Sequence, residues 1–260
     1  MATSVFERYP RLVSLKGLVP DEVVEREIGY RADEFDRTLQ LARLRIPTVR
    51  LNQLFPAELE RGAVHLENFL GHWGNASVEE VCKICLIVRW LRPSRVLEIG
   101  TYNGLTTLQM ALNAPRDCPL YTLDLPEDAQ ASVQLSGIDR YLATRFRGRF
   151  DARVGSYFAG RPDLNVVQLW GDSAVFDYAR AIDGRVDLVF IDAAHDYVNK
   201  SIDTKNALNL LSPKGVVLWH NYADPCNPDV TRYLLDLSKD YPIFHLKNSL
   251  LAAYWQGYGA

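Results

Sequence analysis

The nine residues Val96-Leu97-Glu98-Ile99-Gly100-Thr101-Tyr102-Asn103-Gly104 constrain this chain most. An apolar run ends in an acid, two glycines bracket a short polar loop, and a helix-like stretch follows from Leu105. That is the layout of a strand–loop–helix ligand site, where a tight turn and close backbone approach favour glycine. The spacing is Glu-x-Gly-x-x-x-Gly rather than the Gly-x-Gly-x-x-Gly that cradles a pyrophosphate. It points to a cofactor without a diphosphate.

From Arg95 onward, short apolar runs alternate with helical patterns. Strands are expected at 95–99, 120–125, 165–170, 186–191 and 215–219, and helices at 105–113, 174–182, 197–211 and 229–239. Short all-apolar strands separated by helices imply a parallel sheet covered on both faces. Two further strand-like runs, 243–246 and 250–255, are joined by Lys247-Asn248-Ser249. That connection is too short for a crossover, so the pair should be an antiparallel hairpin. The expected architecture is α/β and Rossmann-like: a mostly parallel seven-stranded sheet, a terminal antiparallel strand and an N-terminal helical cap.

The cap is expected over residues 1–75, a substrate or dimerisation region, with a catalytic, cofactor-binding domain over 76–260. Residues 21–44 are charged with helical apolar spacing (Val24, Ile28, Phe35, Leu39, Ala42). Ser77 followed by Glu80 is a capping box opening a helix over 78–91. Residues 126–164 are long for a crossover and carry Arg140, Arg145, Arg147 and Arg149, a solvated face or a lid.

The formal charge of −3 gives no general attraction for nucleic acid or an anionic membrane, and no apolar run reaches membrane-span length. A soluble, cytoplasmic protein is expected, acting on a small molecule, with a homodimer as one use of the helical cap. Cys82 and Cys85 sit inside an apolar helical pattern and read as packing.

In an open parallel sheet, ligands bind outside the carboxyl ends of the strands. The residues there are Glu98 to Gly104, then Asp124 and Leu125, with Asp124 lying 20 residues beyond Gly104, where an acid commonly takes ribose hydroxyls. Next come Gly171-Asp172-Ser173, Asp192 with His195, and His220-Asn221. Each is a weak signal alone; their ordered recurrence at strand ends is not.

Residues 74–255 resemble the class I S-adenosylmethionine-dependent methyltransferases, in particular small-molecule and sugar O-methyltransferases with an IDGAHSY…GGVIVWHDY pattern. Here it reads IDAAHDY (191–197) and KGVVLWHNY (214–222), and the closing TSLA element reads NSLLAAY (248–254). The resemblance implies S-adenosylmethionine as cofactor. It assigns Glu98, Gly100, Thr101, Tyr102, Asn103, Gly104 and Thr106 to the methionine and loop contacts. It gives Asp124 to the ribose and Gly171, Asp172 and Ser173 to the adenine, and Leu125 and Asp192 complete the expected cofactor-binding set.

Two mechanisms fit these residues. Asp192, His220 and Asn221 could hold a divalent cation such as Mg²⁺ that acidifies an acceptor hydroxyl. Alternatively, His220 or His195 is a general base without metal. Phe69, Trp73, Trp219 and Tyr222 are candidates for an acceptor pocket, whereas His65, His72 and His245 read as structural or surface residues. The rival enzyme, a nicotinamide-dependent oxidoreductase, lacks its third loop glycine, and Tyr197-x-x-Lys200 is one residue short of the usual Tyr–Lys pair. A nucleic-acid amino-methyltransferase would carry Pro-Pro-aromatic after the acid at position 192. A non-catalytic binding protein on the same fold is the remaining alternative.

Overall fold

A computed structural model describes residues 4–16, 18–70, 74–126, 129–135 and 153–258. The arginine cluster at 140–149, His72 and Trp73 lie outside these. One sheet of eight strands organises the chain, in the order β1-β7-β8-β6-β5-β2-β3-β4. The strands are β1 (Thr48–Val49), β2 (Val96–Ile99), β3 (Leu120–Asp124), β4 (Val166–Trp170), β5 (Val186–Ile191), β6 (Leu211–Trp219), β7 (Phe244–Leu246) and β8 (Ala252–Trp255). Strands β4, β3, β2, β5 and β6 are parallel neighbours, and β8 pairs antiparallel with both β6 and β7. The expected hairpin is therefore present, with its second strand inserted between β6 and β7.

Five longer helices cover the sheet: α1 (Ala32–Arg45), α2 (Val78–Leu91), α3 (Leu105–Asn113), α4 (Tyr197–Leu210) and α5 (Pro228–Leu237). Alternation along each strand sends successive side chains to opposite faces. Leu97, Ile99, Val189, Ile191, Val217 and Trp219 join one core with Ala207 of α4 and Val230 and Leu234 of α5. Val96, Leu188, Phe190, Val216 and Leu218 join the other with Ile84, Ile87 and Val88 of α2 and Met110 of α3. No helix among the described residues is long and apolar enough to cross a membrane.

The N-terminal region differs from the expected helical cap. Ala42 and Ile46 belong to the first core, and Leu51, Leu54, Phe55 and Leu59 to the second. Between them, β1 extends the sheet beside β7 as an eighth strand, with His245 N–H donating to Pro47 O at 3.0 Å and Lys247 N–H to Val49 O at 2.8 Å. Two strand residues beside Pro47 are too few to leave a period-two signature. Only residues before α1 form a cluster of their own, built on Val5, Leu12, Leu15, Val19, Val24 and Ile28. The helix expected over 174–182 is shorter, Tyr178–Ala181, because Asp172 holds the preceding residues in a turn and Asp177 caps the helix.

Candidate active site

The loop after β2 is set by sterics before any ligand is considered. Gly100 has φ +102°, and a Cβ there would sit 2.3 Å from the Asp192 carbonyl oxygen. Gly100 is needed because the ends of β2 and β5 touch backbone to backbone. Gly104 has φ +82°, and its Cβ would lie 2.6 Å from the Phe158 ring. Phe158 comes from residues 153–160, which dock on the loop: Gly155 N–H donates to Tyr102 O at 2.9 Å and Tyr157 N–H to Asn103 O at 3.0 Å.

The polar side chains of the loop have separate tasks. Asn103 is fully buried, and its Oδ1 accepts from Leu105 N–H at 3.1 Å, so it caps α3. It also pairs amide to amide with Asn75, at 2.8 and 3.0 Å. Thr101 is buried against Thr122, hydroxyl to hydroxyl at 2.7 Å, and accepts from Gln168 Nε2 at 3.1 Å. Thr106 is buried in the first turn of α3, while Tyr102 is exposed.

Glu98 does not face the loop. Alternating with Leu97 and Ile99, it points toward α3, is 1% exposed, and accepts hydrogen bonds from Thr107 Oγ1 and, at 2.6 Å, from Thr122 Oγ1. Burial pushes its carboxyl up to about 8, with the two hydroxyls partly offsetting that effect. In this arrangement Glu98 braces the loop from beneath.

Asp124 closes β3 with its carboxylate at the loop. Oδ2 accepts from Tyr102 N–H and Oδ1 from Leu125 N–H, both at 2.7 Å. After β4, the Asp172 carboxylate accepts from Ser132 N–H at 2.5 Å and Ala174 N–H at 2.9 Å. Burial opposes ionisation there, but these hydrogen bonds hold Asp172 below the usual carboxylate range. Ser173 offers its carbonyl to Asn206 Nδ2 at 3.2 Å, and Gly171 N–H donates to Asp124 O at 3.0 Å, joining the two loops.

The ends of β5 and β6 hold a different arrangement. His220 Nδ1 lies 3.1 Å from Asp192 Oδ1, and His220 Nε2 lies 3.5 Å from Glu80 Oε2. His195 Nε2 stands 3.6 Å from the same Asp192 oxygen. Burial alone would lower the His220 pKa, but the charge and hydrogen bond of Asp192, joined by Glu80, push it up to about 10. Burial likewise opposes ionisation of both carboxylates. The His220 charge nevertheless holds Asp192 well below the usual range, and His220 holds Glu80 at about 2. Glu80 was visible in the sequence only as the third residue of a capping box, which it also completes with Ser77.

The geometry bears on three expectations. His220, flanked by Asp192 and Glu80, has its charged form favoured, which counts against it as the base. His220 does not fit as a ligand of a hard divalent cation, because both of its ring nitrogens face carboxylates. No group of three His, Cys, Asp or Glu among the described residues is disposed to hold a metal. Trp219 and Tyr222 are core residues, 0% and 1% exposed, with Trp219 Nε1 donating to Thr204 Oγ1 at 2.8 Å. Phe69 packs on a small cluster around Ala76, Val81 and Cys85. His245 is structural, bonded to Thr48 Oγ1 and Ser249 O.

Residues 97–222, from β2 to just past β6, match the family model described as a methyltransferase domain. The match is to a methyltransferase domain and covers a little under half of the chain. Its sheet is similar to that of the O-methyltransferase NovP, with a TM-score of 0.51 at 17% identity over 69% of this chain and 80% of that one. The SAH-bound methyltransferase PaMTH1 of Podospora anserina has a TM-score of 0.49 at 17% identity, over 92% of this chain and 96% of that one. TomG of Streptomyces achromogenes, an O-methyltransferase involved in tomaymycin synthesis and crystallised with SAM, has a TM-score of 0.47 at 20% identity, over 80% and 89%. At such identities the likeness is one of fold. No curated protein matches the methyltransferase chain.

Proposed function

We propose that this protein transfers a methyl group from S-adenosylmethionine to a hydroxyl oxygen of a small molecule. The observation that carries the reading is Asp124. Its carboxylate is fixed by two backbone N–H groups beside a glycine-bounded loop, at the sheet edge where a ribose is met in this architecture. Fixed acceptors suit vicinal hydroxyls, and the loop presents no diphosphate cradle. Asp172 and Ser173 follow on the adjacent strand end for the adenine.

S-adenosylmethionine supplies an activated methyl on a sulfonium, so the chain's own work is positioning and removal of the acceptor proton. The carboxylate of Asp192, next to the Gly100 turn, suits the positive end of such a cofactor. His195 is the imidazole of the pair with access to solvent, its side chain 21% exposed against 7% for His220. We assign the base to His195, oriented by Asp192, with His220 charged behind them and no metal in the step. The acceptor O–H gives its proton to His195 as the oxygen takes the methyl, and S-adenosylhomocysteine leaves. Hydroxyl acceptors are favoured by the O-methyltransferases that share the fold.

Calorimetric titration tests the cofactor class. S-adenosylhomocysteine should bind in the micromolar range, equally with EDTA or Mg²⁺, and NAD⁺ should not bind. Binding of NAD⁺ without S-adenosylhomocysteine would reverse the assignment.

A further inference from the structure

We propose that Glu80 is a positioning residue of the methyl-transfer site: from the first turn of α2 it clamps the His220 ring against Asp192, fixing the carboxylate that faces His195. The inference rests on the reading of this crevice as the transfer site.

A capping glutamate needs only to bond the N-cap N–H, and it does so at helix surfaces. Glu80 does that, with Oε2 accepting from Ser77 N–H at 2.8 Å, yet it is 4% exposed. Burying a carboxylate is costly unless charge and hydrogen bonds compensate it. Here the compensation comes from elsewhere in the chain. Oε1 accepts from Leu250 N–H at 2.6 Å, in the turn between β7 and β8, and Oε2 lies 3.5 Å from His220 Nε2. Leu250 O in turn accepts from Tyr222 N–H at 2.9 Å, so the same carboxylate braces the segment following β6.

The result is a chain of four side chains: Glu80, His220, Asp192 and His195, at 3.5, 3.1 and 3.6 Å. His220 Nδ1 is hydrogen-bonded to Asp192, and its buried Nε2 makes no hydrogen bond but faces the Glu80 carboxylate at ion-pair distance, so the ring is held between two charges, as in the outer-shell pairs that orient catalytic histidines. Without Glu80, His220 Nε2 loses the charge that faces it and Asp192 loses a rigid donor. Helix capping alone would explain none of this convergence.

The test uses full-length protein labelled with ¹⁵N-histidine at one pH near 7.5, with His220 assigned by His220→Gln. Wild type should show two slowly exchanging ring N–H signals for His220. Glu80→Gln removes the charge, and Glu80→Asp keeps the charge but shortens its reach. Each should speed exchange of the Nε2 proton by at least about tenfold, as expected when the buried carboxylate facing that proton is neutralised or withdrawn. Ser77→Ala weakens the cap, where Ser77 Oγ accepts from Glu80 N–H at 3.3 Å, and should leave both ring signals as in wild type. Unchanged ring signals in both Glu80 variants, or equal loss in Ser77→Ala, would overturn the proposal. S-adenosylhomocysteine affinity, measured alongside, separates the outcomes: no binding by wild type sinks the methyl-transfer reading and leaves the clamp result standing.

Discussion

The two halves of the crevice treat the same side chain in opposite ways. On the β2–β3–β4 side, carboxylates meet neutral donors. Glu98 receives two threonine hydroxyls and is pushed up to about 8, while Asp124 and Asp172 are held by backbone N–H groups. On the β5–β6 side, Asp192 and Glu80 enclose an imidazolium, so both stay ionised and His220 rises to about 10. Neutral donors give position without committing charge, which suits a region that holds an uncharged nucleoside. A buried ion pair commits charge, which suits the place where a sulfonium and a departing proton must be managed.

The contrast is sharpest in its pH dependence. Glu98 has a folded-state pKa raised above its ordinary value of 4.5, so its contribution is complete below 4.5 and is lost as pH rises to about 8. His220 is also raised, from 6.5, so its contribution is complete below 6.5 and is lost as pH rises to about 10. Thermal unfolding across pH 5 to 10 should therefore show Glu98→Gln flattening the lower window and His220→Gln the upper one. Identical profiles for the two variants would erase the distinction between the halves.

Asp192→Asn comes next in size. It leaves His220 with a single charged partner and should cost about 3 kcal/mol, the lower end for breaking a buried pair. For a chain of this size that is a fall in Tm of about 10 °C. Thr122→Val, on the neutral side, removes one hydroxyl from Glu98 and should cost about 1.5 kcal/mol, read by urea unfolding. If Thr122→Val proved the more damaging of the two, the neutral side would be the one under charge tension.

Much of this architecture was legible along the chain. The mostly apolar runs expected as strands at 95–99, 120–125 and 186–191 became parallel strands, and the short 247–249 connection became the hairpin turn. Ser77 and Glu80 formed the expected cap. What stayed hidden depends on contacts between distant segments. Glu98 looked like a ligand residue because nothing local reveals that Thr107 and Thr122 will turn toward it from other elements. The pairing of Glu80 with His220 spans 140 positions, and β1 is too short to carry a period. Gly100 was recognised as necessary, but for ligand approach. Its neighbour is the Asp192 backbone, so Gly100→Val would disrupt the site whether or not a cofactor binds there.

The most direct measurement is S-adenosylhomocysteine binding to Asp124→Ala, with Glu98→Gln as the control that alters a carboxylate buried beneath the loop. Asp124→Ala should retain a folded methyltransferase domain and lose binding by at least about 100-fold, in line with two hydrogen bonds to a charged acceptor, while Glu98→Gln stays near wild type. Wild-type affinity in Asp124→Ala, with the fold intact, would contradict the claim that this carboxylate holds the cofactor's sugar.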